Sequence, residues 1–133
     1  MRAVLDTNVL LAGVFTHGVC EAILDECFGN PAHTIIGSEF ILREFARQAA
    51  SKFAAPADVV RQTIDLLRSG MELVEPSSVP ARSCRDPDDL AILGTLVAGN
   101  PDCLVTGDRD LLEIKTFQSI PILSPRAFHD RLR

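Results

Sequence analysis

Three stretches of the chain place aspartate where an apolar run stops or starts. Arg2-Ala-Val-Leu-Asp6 and Leu104-Val-Thr-Gly-Asp108 close short β-like runs, and Asp86-Pro-Asp-Asp89 opens an apolar helical stretch. Glu44 adds a fourth carboxylate inside a helical pattern that begins near Ser38. An aspartate at the end of a buried strand is costly unless it is paired, hydrogen-bonded or metal-bound. In an open α/β sheet the carboxyl ends of the strands face the ligand crevice. Asp6 and Asp108 delivered there, with Glu44 and Asp89 from helices, would make an all-oxygen set suited to a hard cation. At about 4 Å and an effective dielectric near 20, each like-charge pair costs roughly 4 kcal/mol. Such a cluster takes up protons or admits a divalent ion, and Mg²⁺ or Mn²⁺ suits the donors.

Each acid also has an ordinary structural explanation. Asp6 suits a turn or a helix N-cap, and Thr7 and Asn8 suit either turn chemistry or hydrogen bonds that hold its carboxylate. Glu44 alone reads as a solvated helix residue, since Glu39 lies on the same helix. Asp86 caps, while Asp88 and Asp89 favour the helix dipole. The apolar residues after Asp89 draw it towards the sheet and leave Asp88 the more exposed, although either could be the fourth acid. Asp108 repeats the strand-end pattern of Asp6 and again suits a helix N-terminus, with Gly107 serving a tight turn or the approach of a ligand. Arg109 reads as a surface residue. His17, His33 and His129 show no metal-ligand spacing and lie near no nucleophile, so triad hydrolysis has no support. Neither dinucleotide nor P-loop glycine motifs occur.

The elements that must position these acids alternate between strand and helix. Short apolar runs predict strands at about Ala3–Asp6, His33–Ile36, Met71–Val74, Cys103–Thr106 and Ile120–Leu123. Helical patterns fall at about Val19–Phe28, stopped by Gly29-Asn30-Pro31, and from Ser38 to about Phe53. The second carries the stripe Ile41, Leu42, Phe45, Ala49 and Phe53, with Glu44 at its edge. A further helix spans about Pro56–Arg68. A Pro/Ser-rich loop at Glu75–Arg85 precedes a helix with Asp86 as N-cap and Pro87 in its first position. That helix is apolar nearly all round, which predicts burial on several sides. Ser124-Pro125 caps a last helix. The alternation predicts an α/β fold with a mostly parallel sheet and helices on both faces.

The chain of 133 residues fits a single domain, residues 1–133, and its 47 % hydrophobic content is enough for a core. No apolar stretch approaches the ~18 residues of a membrane span, and the N-terminus runs straight into the first strand. These features predict a cytoplasmic protein with no membrane partner. Cys20, Cys27, Cys84 and Cys103 show no C-x-x-C spacing, which removes support for zinc or thioredoxin chemistry. Cys20 and Cys27 share a helix face as small core residues. The net charge of −5 argues weakly against a nucleic-acid partner, because a bound metal would cancel charge at an acidic site. With no Trp or Tyr, stacking platforms for single-stranded bases are not expected.

Taken together, Asp6-Thr-Asn-Val-Leu, Ile-Leu-Arg-Glu44-Phe, Cys84-Arg-Asp-Pro-Asp-Asp89 and Leu-Val-Thr-Gly-Asp108-Arg-Asp110-Leu-Leu resemble the motifs of PIN-domain proteins, in the same order. The closest resemblance is to the VapC-like toxins of toxin–antitoxin systems, and it runs through the closing Ile-Leu-Ser-Pro-Arg-Ala-Phe. It implies a three-layer domain with a parallel five-stranded sheet of order 3-2-1-4-5. It implies that Asp6, Glu44, Asp89 and Asp108 are the catalytic acids, with Asp6, Asp89 and Asp108 as metal ligands. Asn8, Asp86, Thr106 and Asp110 are accessory positions. The implied activity is Mg²⁺- or Mn²⁺-dependent cleavage of RNA, with an antitoxin protein and a homodimer as further partners. Two other readings stay open. A haloacid-dehalogenase-type phosphatase also uses an aspartate after strand one, but it wants a second aspartate where this chain has Asn8. The other is a non-catalytic PIN-like or receiver-like binding module.

Overall fold

A computed structural model describes residues 1–132. Its core is built from short, β-branched runs too apolar to face water. Strand β1 (Arg2–Leu5) lies between β2 (Thr34–Gly37) and β4 (Cys103–Val105), and β3 (Met71–Leu73) extends the sheet beyond β2. All these neighbours are parallel, as is the pairing of β4 with β6 (Ile120–Leu123). The parallel order β3-β2-β1-β4-β6 is the order the sequence implied, with β6 as its fifth strand. The sheet differs by one addition. A two-residue strand, β5 (Thr116–Phe117), pairs antiparallel with β6 and makes six strands in all. Lys115, Gln118 and Ser119 adopt positive φ around this hairpin, so turn geometry rather than an apolar run creates it.

The sheet order reverses between β1 and β4. Right-handed crossovers on either side of such a point send successive helices to opposite faces of the sheet. Helices α1 (Thr7–Phe15) and α2 (Val19–Gly29) connect β1 to β2, and α3 (Glu39–Phe53) and α4 (Ala57–Gly70) connect β2 to β3. Helix α5 (Leu90–Gly99) leads into β4, α6 (Arg109–Ile114) follows it, and α7 (Pro125–Arg131) closes the chain. Residues 92–96 of α5 are all buried, which explains why its sequence lacks a polar face. The stripe on α3 packs as expected through Ile41, Leu42, Phe45 and Ala49. Phe53 departs from it: it is 39 % exposed and stacks on Phe15 of α1 at 4.8 Å. Helix α1 itself has no amphipathic signature, because Val9, Leu10, Leu11 and Gly13 are buried on several sides at once. Among the described residues, no single helix is long and apolar enough to cross a membrane.

Candidate active site

The site forms where the chain leaves β1 and β4 at the reversal of the sheet. Asp6 is 6 % exposed and caps α1, its Oδ1 accepting from the Thr7 N–H at 2.7 Å. Its Oδ2 accepts from the Thr106 hydroxyl at 2.8 Å and from the Asn8 amide at 3.2 Å. The same Thr106 oxygen accepts from the Asp108 N–H at 3.0 Å, and Asn8 Oδ1 accepts from the Gly107 N–H at 3.1 Å. Two side chains thus clasp the end of β1 to the end of β4. Gly107 is needed for neither a left-handed turn nor space, since a Cβ there would meet only Asn8 Oδ1 at an ordinary 3.5 Å. Asp108 caps α6 by accepting from the Asp110 N–H at 2.9 Å. The capping and ligand readings of these aspartates are compatible: the cap takes one lone pair of Asp6 Oδ1 and leaves its other lone pair open, while Oδ2 is held by Thr106 and Asn8.

Asp89 is different. It ends a 3₁₀ turn at Pro87–Asp89 that Asp86 caps, and it makes no capping bond of its own. It is 8 % exposed, whereas Asp88 is exposed, which separates the two candidates for the fourth acid. Its Oδ2 is buried with no hydrogen-bond partner in the chain. Burial, then the charge of Asp108 and a hydrogen bond to it, push the Asp89 carboxyl up to about 7. Burial also raises the Asp6 carboxyl, an effect only partly offset by its bonds to Thr106 and Thr7. Glu44 moves the other way. Arg47 grips it with Nη2 to Oε2 at 2.7 Å, and that bond holds the Glu44 carboxyl below the usual range.

Asp6, Glu44, Asp86, Asp88, Asp89 and Asp108 all line one cleft of about 620 Å³. Asn8 also lines it, and Thr106 lies behind, acting through Asp6 and Asp108. Asp110 does not join them: it lines a neighbouring groove, where Arg85 approaches it at 3.7 Å. Arg47, Gln48 and Lys52 complete the α3 wall, and Cys20 and Phe40 also reach the cleft. Arg47 and Lys52 were not among the residues the sequence singled out. Their signal was there: they stand three and eight positions after Glu44, on its side of the helix. Cys27 and Cys103 are buried as small core residues, their thiols raised to about 11 and about 12 by burial, while Cys20 is only partly covered.

The donor set fits a hard cation. Every acid offers oxygen, and Asp89 Oδ2 is a buried acceptor with nothing to accept from. Among the described residues no three carboxylate, histidine or cysteine side chains already form a ligand cage. Mg²⁺ is usually held by one or two carboxylates and completes its shell with water and phosphate oxygens.

Comparison with known proteins agrees with this architecture. A family profile described as the PIN domain matches residues 2–110. No protein of curated function matches the sequence. Among solved structures, VapBC2 from Rickettsia felis, bound to a DNA fragment from its promoter, superposes with a TM-score of 0.66. It has 18 % identity, over 93 % of this chain and 98 % of the other. PAE2754 from Pyrobaculum aerophilum superposes with a TM-score of 0.63 at 12 % identity, over 99 % and 89 % of the two chains. At these identities the likeness is one of fold.

Proposed function

The chain belongs to the PIN-domain family, and from that premise we propose that its acidic cleft is the active site of a divalent-metal-dependent endoribonuclease, the toxin of a toxin–antitoxin pair. PIN domains are generally nucleases that use divalent ions. The observation that carries the reading is Asp89, whose buried Oδ2 has no hydrogen-bond partner in the chain, set against Asp108 and Asp6 in a cleft open to substrate. Asp6, Asp89 and Asp108 would hold Mg²⁺ or Mn²⁺. When bound, the ion supplies positive charge for the phosphate oxygens and lowers the pKa of a coordinated water. Thr106 and Asn8 fix the Asp6 carboxylate, so the Oδ1 lone pair that Thr7 leaves free keeps one direction. Glu44, on the opposing α3 wall, orients the attacking water once Arg47 releases it. Asp86 acts at the rim of the cleft, and Asp110 acts through its backbone N–H on Asp108 rather than through its side chain.

The same reading extends to partners and setting. The VapBC2 neighbour, a complex, supports an antitoxin partner, which would cover the cleft; the protein would form a homodimer and work in the cytoplasm. The test is cleavage of mixed RNA substrates with Mg²⁺ or Mn²⁺. Asp6→Asn should lower the rate by at least about 100-fold, since even partners one shell removed from a metal are worth 10–100-fold, and EDTA should abolish cleavage. Cleavage that survives both treatments would refute the proposal.

A further inference from the structure

The cleft is not uniformly acidic. Among the described residues, Arg47 and Lys52 are the two cations that line it, and both come from α3. Glu44, Gln48 and Lys52 are spaced by four and stack along one face of the helix, with Arg47 beside them. At 1.5 Å per residue, Lys52 stands about 12 Å along the axis from Glu44. Charge therefore changes sign along the wall, from the carboxylates around Asp6, Asp89 and Asp108 to Arg47 within about one turn of Glu44 and Lys52 about two turns from it. The Arg47 side chain is 65 % exposed and the Glu44 side chain 30 %. So exposed an ion pair contributes little to the fold, and its guanidinium is free to exchange partners. A small phosphate ester would end at the carboxylates and leave Lys52 unused. A strand that continues past the reacting phosphate would meet both cations in turn.

We infer that Arg47 and Lys52 form a track for the phosphates flanking the cleavage point of a single RNA strand, with Arg47 exchanging Glu44 for a backbone phosphate as the strand docks. The inference rests on the ribonuclease reading and assigns the substrate's path within that site. Arg47 and Lys52 are positioning residues. Arg43 provides an internal control, because it lies on the same helix but lines a different groove.

The experiment measures binding of a fluorescently labelled RNA oligonucleotide by anisotropy over a salt series. It uses the full chain carrying Asp6→Asn, in EDTA, so that the strand stays intact. Each phosphate contact to a single strand contributes about 0.7 to the slope of log K against log salt. Arg47→Gln and Lys52→Gln should each reduce the slope by about 0.7, and the double variant by about 1.4. Arg47→Lys should restore it, Arg43→Gln should leave it unchanged, and a nucleoside monophosphate should compete poorly. Circular dichroism checks that the Asp6→Asn chain and its variants at the exposed positions Arg43, Arg47 and Lys52 keep the fold. The inference is overturned if the starting chain binds no RNA, if the double variant keeps its slope, or if Arg43→Gln lowers it equally. It is also overturned if the monophosphate competes as well as the oligonucleotide. Metal-dependent cleavage that persists alongside an unchanged slope would sink the track and leave the ribonuclease reading standing. A responsive slope in a chain that never cleaves would do the reverse.

Discussion

Asp6 and Asp89 are both buried aspartates, and their surroundings divide their roles. Asp6 accepts three hydrogen bonds, while Asp89 leaves an oxygen unmet. Thr106→Val would take a donor from Asp6 and an acceptor from the Asp108 N–H, and should cost about 1–3 kcal/mol in urea denaturation. Asp89 sets a pH dependence whose sign follows from its raised carboxyl. Between the ordinary 3.8 and about 7 the folded chain keeps a proton that the unfolded chain has lost. Metal-free protein should therefore lose stability as the pH rises through that window, by at most roughly 1.4 kcal/mol per unit. Asp89→Asn should flatten the trend in thermal melts between about pH 5 and about pH 8. A melting temperature that instead rises over this range would contradict the assignment.

At the scale of elements, the carboxylates depend on how tightly the loops are held. The segment after β3 is pinned to α5, with the Ser77 N–H donating to the Gly94 carbonyl at 3.0 Å. A Cβ on Gly94 would collide with the Ser77 carbonyl oxygen. Gly94→Ala should thus cost about 1–3 kcal/mol by overpacking, read as a lower denaturation midpoint. The five parallel strands, α2, α3, α5 and the caps at Ser38, Asp86 and Ser124 were legible in sequence, because period and punctuation agree there. Helix α1 was not, since burial on several sides erases the period that announces a helix. Helix α6 is six residues long and β5 two, too short for any periodicity to register. That Asp6 and Asp108 border one cleft could be read because strand ends are predictable places. Arg47 and Lys52 carried only their spacing from Glu44 as a signal, and a charged residue on a helix is ordinary until the cleft it borders is known.

For the whole molecule, a net charge of −5 with six acids around one cleft means that a divalent ion should act as a folding ligand. At ten times its Kd it should add roughly 1.4 kcal/mol, a rise in Tm of about 5 °C. Differential scanning calorimetry with and without Mg²⁺ or Mn²⁺ measures this, and the shift should vanish in Asp6→Asn. The clasp through Thr106 and Asn8 also has a consequence in time. It joins residues about a hundred positions apart, so a ribosome making 5–20 residues per second finishes the first half of the clasp roughly 5–20 s before the second. Through that interval a growing polypeptide carries Asp6 with Thr7 and Asn8 beside it but without the Thr106 hydroxyl that completes its set of donors.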